Sequence, residues 1–294
     1  MTRALVLGGG GVAGIAWATG IAAGLARQGV DIGKADVFIG TSAGSVVGAQ
    51  LASGVGAETL LAQQLTPPAS SREQAQPFSQ QEANARNRAL MDKVSGDLTA
   101  ARKRIGAHAL RSATVPLAHR REIISARLPQ AGWPVRALRV VAVDTATGQH
   151  ATFDRDSGVD FIDAVAASCA VPGAWPAVPI DGRAWMDGGI RSLSNADLAA
   201  PAQCVLVIAP LGYADDNPVS GHLRAEVRML QDGGARVAVV VPDSYSTRAM
   251  TDNVLDPARC APSARAGLVQ ALRIAPDIAS FWNEGDTGGA GESR

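Results

Sequence analysis

Four consecutive glycines, Gly8 to Gly11, stand between an apolar run, Ala4 to Leu7, and an uncharged stretch that continues to Leu25. Read by hydropathy alone, Ala4 to Leu25 could pass for a signal peptide or a membrane span. The glycines argue against both, because each costs about 1 kcal/mol in a helix interior and offers no apolar surface. A strand, a glycine turn and a buried helix from about Val12 to Ala26 use the same residues without that penalty. Gln28-Gly29 stops the helix, a second apolar strand is expected at Asp36 to Ile39, and a second helix at Ala43 to Leu51. Strands of this kind alternating with helices predict a three-layer α/β/α fold. Its central sheet is mainly parallel, and its sites lie at the carboxyl ends of the strands.

The chain has 294 residues, 47% of them hydrophobic, enough for one large core. A single domain over residues 1–284 is expected, with residues 66–134 as a helical insertion and 285–294 as a disordered tail. The insertion opens with Pro, Ser and Gln around Thr66 to Ser79, then turns polar and helix-forming from Gln80 to about Ala107. Its basic residues Arg86, Arg88, Lys93, Arg102, Lys103 and Arg104 read either as a solvated helical face or as part of a cap that meets anionic lipid head groups. A short helix over Pro116 to Leu128 follows, and Trp133-Pro134 ends the insertion. Beyond it, strands are expected at Leu138 to Val143, Cys204 to Ile208 and Val237 to Val241. Ala146-Thr147-Gly148 reads as a hairpin turn into His150 to Phe153, and helices are expected at Val219 to Gln231 and Ala258 to Arg273.

The 27 basic and 27 acidic residues cancel, so no basic field marks the chain as a nucleic-acid binder. Cys169, Cys204 and Cys260 fit neither a disulfide framework nor a zinc spacing, and suit reduced thiols in a cytoplasmic protein. No metal and no cofactor are called for.

Gly40-Thr41-Ser42-Ala43-Gly44 is a G-x-S-x-G sequence with an apolar strand directly before it and a helix directly after. That context is a nucleophile elbow, a tight turn that lifts Ser42 clear of the sheet and aims a helix N-terminus at developing negative charge. Gly8 to Gly11, also at a helix start, offers unshielded amides suited to an oxyanion. Two other readings of these glycines stand beside that one. Gly9, Gly11 and Gly14 spell a dinucleotide fingerprint, although the second strand ends in Gly40-Thr41-Ser42 and not in the acid a ribose needs. The glycines could also simply pack a helix onto the sheet.

A serine nucleophile needs a base. Of His108, His119, His150 and His222, only His222 lies far enough along for the usual Ser-Asp-His order. Asp187, in Trp185-Met186-Asp187-Gly188-Gly189, is the better partner, because a glycine turn fixes a carboxylate at a cleft mouth with room for another backbone beside it.

In order along residues 4 to 200, these segments resemble the patatin-like phospholipases. They are the glycine loop Gly8 to Gly14, the elbow Gly40 to Gly44 and the strand and turn Ala142 to Phe153. Ala167-Ser168-Cys169-Ala170-Val171-Pro172 follows, then Trp175-Pro176-Ala177-Val178 and Asp187-Gly188-Gly189. The resemblance implies a Ser-Asp dyad, with Ser42 as nucleophile and Asp187 as base, and oxyanion donors from Gly9, Gly10 and Gly11. Gly40, Gly44, Gly188 and Gly189 would support the two turns. It implies metal-free hydrolysis of lipid acyl esters through an acyl-enzyme, a lipid or other acyl ester as partner, and contact with membranes that is peripheral. One departure is Ala13, where the family usually carries Arg or Lys before the last loop glycine. It leaves open a non-catalytic relative that binds lipid or a protein.

Overall fold

The computed structural model describes residues 1–66, 73, 75–220 and 222–283. The expected tail, 285–294, and part of the Pro/Ser/Gln segment lie outside the described residues. The first half contains β1 (Arg3–Leu7), α1 (Gly11–Arg27), β2 (Val37–Thr41), α2 (Ala43–Ala52) and α3 (Ala57–Leu65). The insertion supplies α4 (Gln80–Asp92), α5 (Leu98–Arg111) and α6 (Leu117–Arg127). Next come β3 (Ala137–Asp144), β4 (His150–Phe153), α7 (Phe161–Ser168), β5 (Val178–Ile180) and β6 (Arg183–Asp187). The last part holds β7 (Cys204–Ile208), α8 (Leu223–Asp232), β8 (Arg236–Val240), α9 (Ser244–Met250) and α10 (Cys260–Asn283).

The strands form one mixed sheet in the order β5-β6-β3-β2-β1-β7-β8, with β4 paired to β3. β3, β2, β1, β7 and β8 run parallel, and β4, β5 and β6 are antiparallel to their neighbours. The middle strand β1 is buried on both faces from Ala4 onward, which is why it reads as an unbroken apolar run. On one side of the sheet, α1 and α2 pack with α10 around Trp17, Phe38 and Trp282. On the other, Val6, Ile39, Val205 and Val207 meet α8. These are the expected α/β layers.

The uncharged stretch from Ala4 to Leu25 is therefore strand, turn and buried helix, and no helix among the described residues is long and apolar enough to cross a membrane. α1 is buried nearly all round because α10 lies directly along it. A Cβ on Gly20 would stand 2.1 Å from the Ala264 carbonyl oxygen, and one on Gly267 2.2 Å from that of Trp17. Any larger residue would force these helices apart.

The insertion differs from the sequence reading in its helices. The single helix expected over Gln80 to Ala107 is two, because Ser95 and Gly96 take φ values of 52° and 81° and Asp97 then caps α5 by accepting the Ala100 amide. Three of its basic residues also reach carbonyls outside the insertion, Arg86 and Arg102 half-buried and Arg88 exposed. Arg88 donates to the Asp216 carbonyl at 2.8 Å, Arg102 to those of Arg191 and Val219, and Arg86 reaches that of Pro172 at 3.5 Å. The helix α3 was not expected, and α10 continues past Arg273 to Asn283 with Pro276 inside it.

Candidate active site

β2 runs straight into Ser42, whose backbone is held at φ 51° and ψ −120°, a region that L-residues avoid. The turn is locked by neighbours. The Ser42 amide donates to Ser168 Oγ at 2.9 Å, and its carbonyl accepts from Ser45 Oγ at 2.6 Å and from Cys169 Sγ at 3.2 Å. Ser168 and Cys169, at the end of α7, thus fix the elbow from outside it. Gly44 lets α2 close onto the sheet, since a Cβ there would lie 1.9 Å from the Leu7 carbonyl oxygen.

The second turn follows β6. Its antiparallel pairing with β3 sets Asp187 opposite Ala142, and the Gly189 amide donates to Asp187 Oδ1 at 2.7 Å. Asp187 Oδ2 has no hydrogen-bond partner among the described residues. The carboxylate is 5% exposed, and burial pushes its pKa up to about 6, opposed by the Ser42 hydroxyl, the Gly189 amide and the charge of Arg120. The hydroxyl is near enough to favour the anion without closing a hydrogen bond to Oδ2.

Asn195, which the motifs did not reveal, joins the two turns. Its buried Nδ2 donates to the Ser192 carbonyl at 2.7 Å and to Thr41 Oγ1 at 3.0 Å, with the Gly188 carbonyl at 3.3 Å. One amide group thereby sets the residue before Ser42 against the residue after Asp187. A lone Asn in a polar loop gives no sequence signal of this.

The glycine loop forms the floor beside Ser42. Gly8 donates to the Ile208 carbonyl and Gly9 to that of Leu193 at 2.8 Å. The Gly9 amide is therefore engaged within the fold. The amides of Gly10 and Gly11 meet no carbonyl among the described residues and border the same cleft as Ser42. Gly11 takes a φ of +58° at the start of α1, and the Ala13 amide is anchored on the Val254 carbonyl at 3.1 Å. Ala13 itself is fully buried in the core, so the position where the family carries a cation has no room for a solvated one here.

These groups share a cleft of about 80 Å³, partly open to solvent, walled by apolar Phe78, Val171, Ile190, Leu193, Val254 and Leu255. Gln80, Ala83, Asn84, Arg86 and Asn87 of α4 lie across it. No histidine borders the cleft, and His222 is an exposed residue at the start of α8, which leaves the Ser-Asp-His order without a partner in place. No group of His, Cys, Asp and Glu suited to a metal occurs among the described residues.

A mainly parallel α/β sheet thus carries a G-x-S-x-G turn between strand and helix, with its serine bordering a cleft. Residues 5–200 match the family model described as patatin-like phospholipase, and the chain belongs to that family. Among solved structures it is similar to VipD from Legionella pneumophila, with 14% identity, a TM-score of 0.46 and coverage of 94% of this chain and 67% of that one. It is also similar to the type III effector protein ExoU, with 17% identity, a TM-score of 0.36 and coverage of 92% and 53%. The chain thus spans about two thirds and about half of their lengths. A comparison with curated proteins finds no significant match.

Proposed function

We propose that the protein is a serine acyl hydrolase that cleaves carboxylic esters of lipids, with Ser42 as nucleophile and Asp187 as its base. The observation that carries the reading is the shared cleft, where the strained Ser42, the buried Asp187 and the unengaged Gly10 and Gly11 amides border one apolar space. Membership of a phospholipase family supports a lipid as the ester. Asp187, near pH 6, is ionised at neutral pH yet close enough in basicity to take the Ser42 proton as Oγ attacks the ester carbonyl. The tetrahedral oxyanion is received by the Gly10 and Gly11 amides at the N-terminus of α1, and Gly9 serves to aim the loop. Collapse expels the alcohol, which takes the proton from Asp187, and leaves an acyl-Ser42. Water, deprotonated by Asp187, then releases the fatty acid and regenerates the hydroxyl. The apolar walls suit the acyl chain. Residues 66–134 act as the cap of a single catalytic unit, with α4 over the cleft, and contact with a membrane is peripheral.

The test is a fluorophosphonate probe followed by mass spectrometry, alongside p-nitrophenyl ester hydrolysis. An adduct on Ser42, absent together with hydrolysis in Ser42→Ala, is the expected result. Undiminished hydrolysis by folded Ser42→Ala would overturn the mechanism, and bound lipid without turnover would favour a binding protein.

A further inference from the structure

A second, smaller cavity of about 20 Å³ lies on the α1 and α2 side of the nucleophile. It is lined by Gly11, Ser42, Ala43 and Cys169 from the site and by Arg120 and Arg127 of α6. Arg120 is 4% exposed, and its guanidinium carbon lies over the Trp175 ring, 3.8 Å from the centroid. Glu73 pairs with Arg127 and stands 3.5 Å from Arg120 Nη1. Arg120 Nε and Nη1 have no hydrogen-bond partner among the described residues. The buried Arg120 and the partly buried Arg127 thus share Glu73, and both line the cavity that borders Ser42.

We propose that Arg120 is a positioning residue for the reaction, whose buried guanidinium, fixed in the cavity that borders Ser42 and Gly11, supplies positive potential to the Ser42–Asp187 site and the glycine loop. The inference rests on the Ser42–Asp187 reading above. Burying a guanidinium without a full set of acceptors is costly, and stacking on Trp175 together with the half-share of Glu73 offsets only part of that cost. Burial and the neighbouring Arg127 pull Arg120 down to about 10, so it remains a cation throughout the working range. Trp175 and Glu73 fix where that charge sits.

The groups that face Asp187 leave Arg120 as the cation felt there. Cys169, at the end of α7, is buried and pushed up to about 11, hence a neutral thiol. The Ser42 hydroxyl and the Gly189 amide are uncharged donors, and Arg86 of α4 borders the cleft from the opposite wall. Arg120 acts on Asp187 and on Cys169 alike, in both cases favouring the anion. The same charge, on the Gly11 side of Ser42, favours the oxyanion.

The test is the pH profile of kcat/KM for p-nitrophenyl butyrate, an uncharged ester, in the full chain and in Arg120→Met, Arg120→Lys and Glu73→Gln. In Arg120→Met the acid limb is expected to move up by about half a pH unit or more. Its plateau kcat is expected to fall about tenfold with KM changed less than about twofold. Arg120→Lys keeps the limb near its original position. Glu73→Gln removes the counter-charge and moves the limb the other way, toward lower pH. Opposite shifts from two substitutions in one cavity report charge, whereas loosened packing would move both in one direction. An unchanged limb in folded Arg120→Met, or a limb that moves up in Glu73→Gln, would overturn the proposal. If Arg120→Met does not fold, Glu73→Gln decides: a downward shift supports the role, and no shift or an upward one refutes it. Failure of the underlying reading shows separately, as hydrolysis that survives Ser42→Ala.

Discussion

Asp187→Asn removes a negative charge that the fold holds at a cost, so the substitution is expected to stabilise the protein while abolishing its chemistry. The carboxylate rises from 3.8 to about 6 on folding, close to 2 units, and each unit corresponds to about 1.4 kcal/mol, or roughly 3 kcal/mol in all. The sign follows from which state binds the proton more tightly. Below about pH 4 the group is protonated in both states and costs nothing. Between about 4 and 6 the unfolded chain releases the proton first, and stability falls with rising pH until the folded group also ionises. Above about pH 7 the whole penalty is present. Asparagine keeps the acceptor for the Gly189 amide and has no charge to bury. The variant should therefore melt with the wild type near pH 4 and about 6 °C above it at pH 8, taking about 2 °C per kcal/mol for a chain of this size. Ester hydrolysis should fall on the order of 1000-fold, the contribution of a general base. Thermal unfolding at several pH values, paired with kcat/KM, makes the measurement. A variant that melts below the wild type at pH 8, or by a margin that does not change with pH, would refute the reasoning.

Two further outcomes follow from the cleft. Gly11→Ala places a Cβ at a φ of +58° and 2.4 Å from the Val254 carbonyl oxygen, so the loop must shift. A loss of kcat on the order of 100-fold is expected, with fluorophosphonate labelling slowed in proportion. Arg86, half-buried on α4 with its Nε unpartnered among the described residues, lies where the apolar cleft meets a more polar groove along Pro77 to Ser79 and Gly173. Arg86→Met is expected to lower kcat/KM about tenfold for a monoacyl ester with a phosphate head and to leave an uncharged monoacylglycerol unaffected. Equal losses on both would assign Arg86 to holding the cap.

The parts of the site that were legible in the sequence are those whose geometry is set by neighbours along the chain. G-x-S-x-G between an apolar run and a helical stretch fixes Ser42 because the small residues on either side are needed within the turn itself. Asp187 was legible for the same reason, through the glycines that follow it. The Gly9 amide shows where local pattern stops being sufficient: only the position of Leu193, nearly two hundred residues away, decides that this amide is engaged while those of Gly10 and Gly11 are not. Asn195 and Arg120 are long-range in the same sense, joining turns or helices that no spacing relates. Within the insertion, Ser95-Gly96-Asp97 did carry a signal for the break between α4 and α5, a turn followed by a capping residue, but the polar helix-forming composition on both sides masked it.

The seat of the glycine loop has a consequence for when the site comes into being. Gly11 and Ala13 rest on Val254, and α1 lies along α10, so the loop is braced by segments made last among those described, beyond the stretch that matches the family. A nascent chain that has displayed every motif through residue 200 still lacks the surface on which its glycine loop rests. Seating of the loop is thereby deferred until Val254 and α10 have been made, and a fragment cut at residue 200 would carry the stretch that matches the family with no seat for its loop.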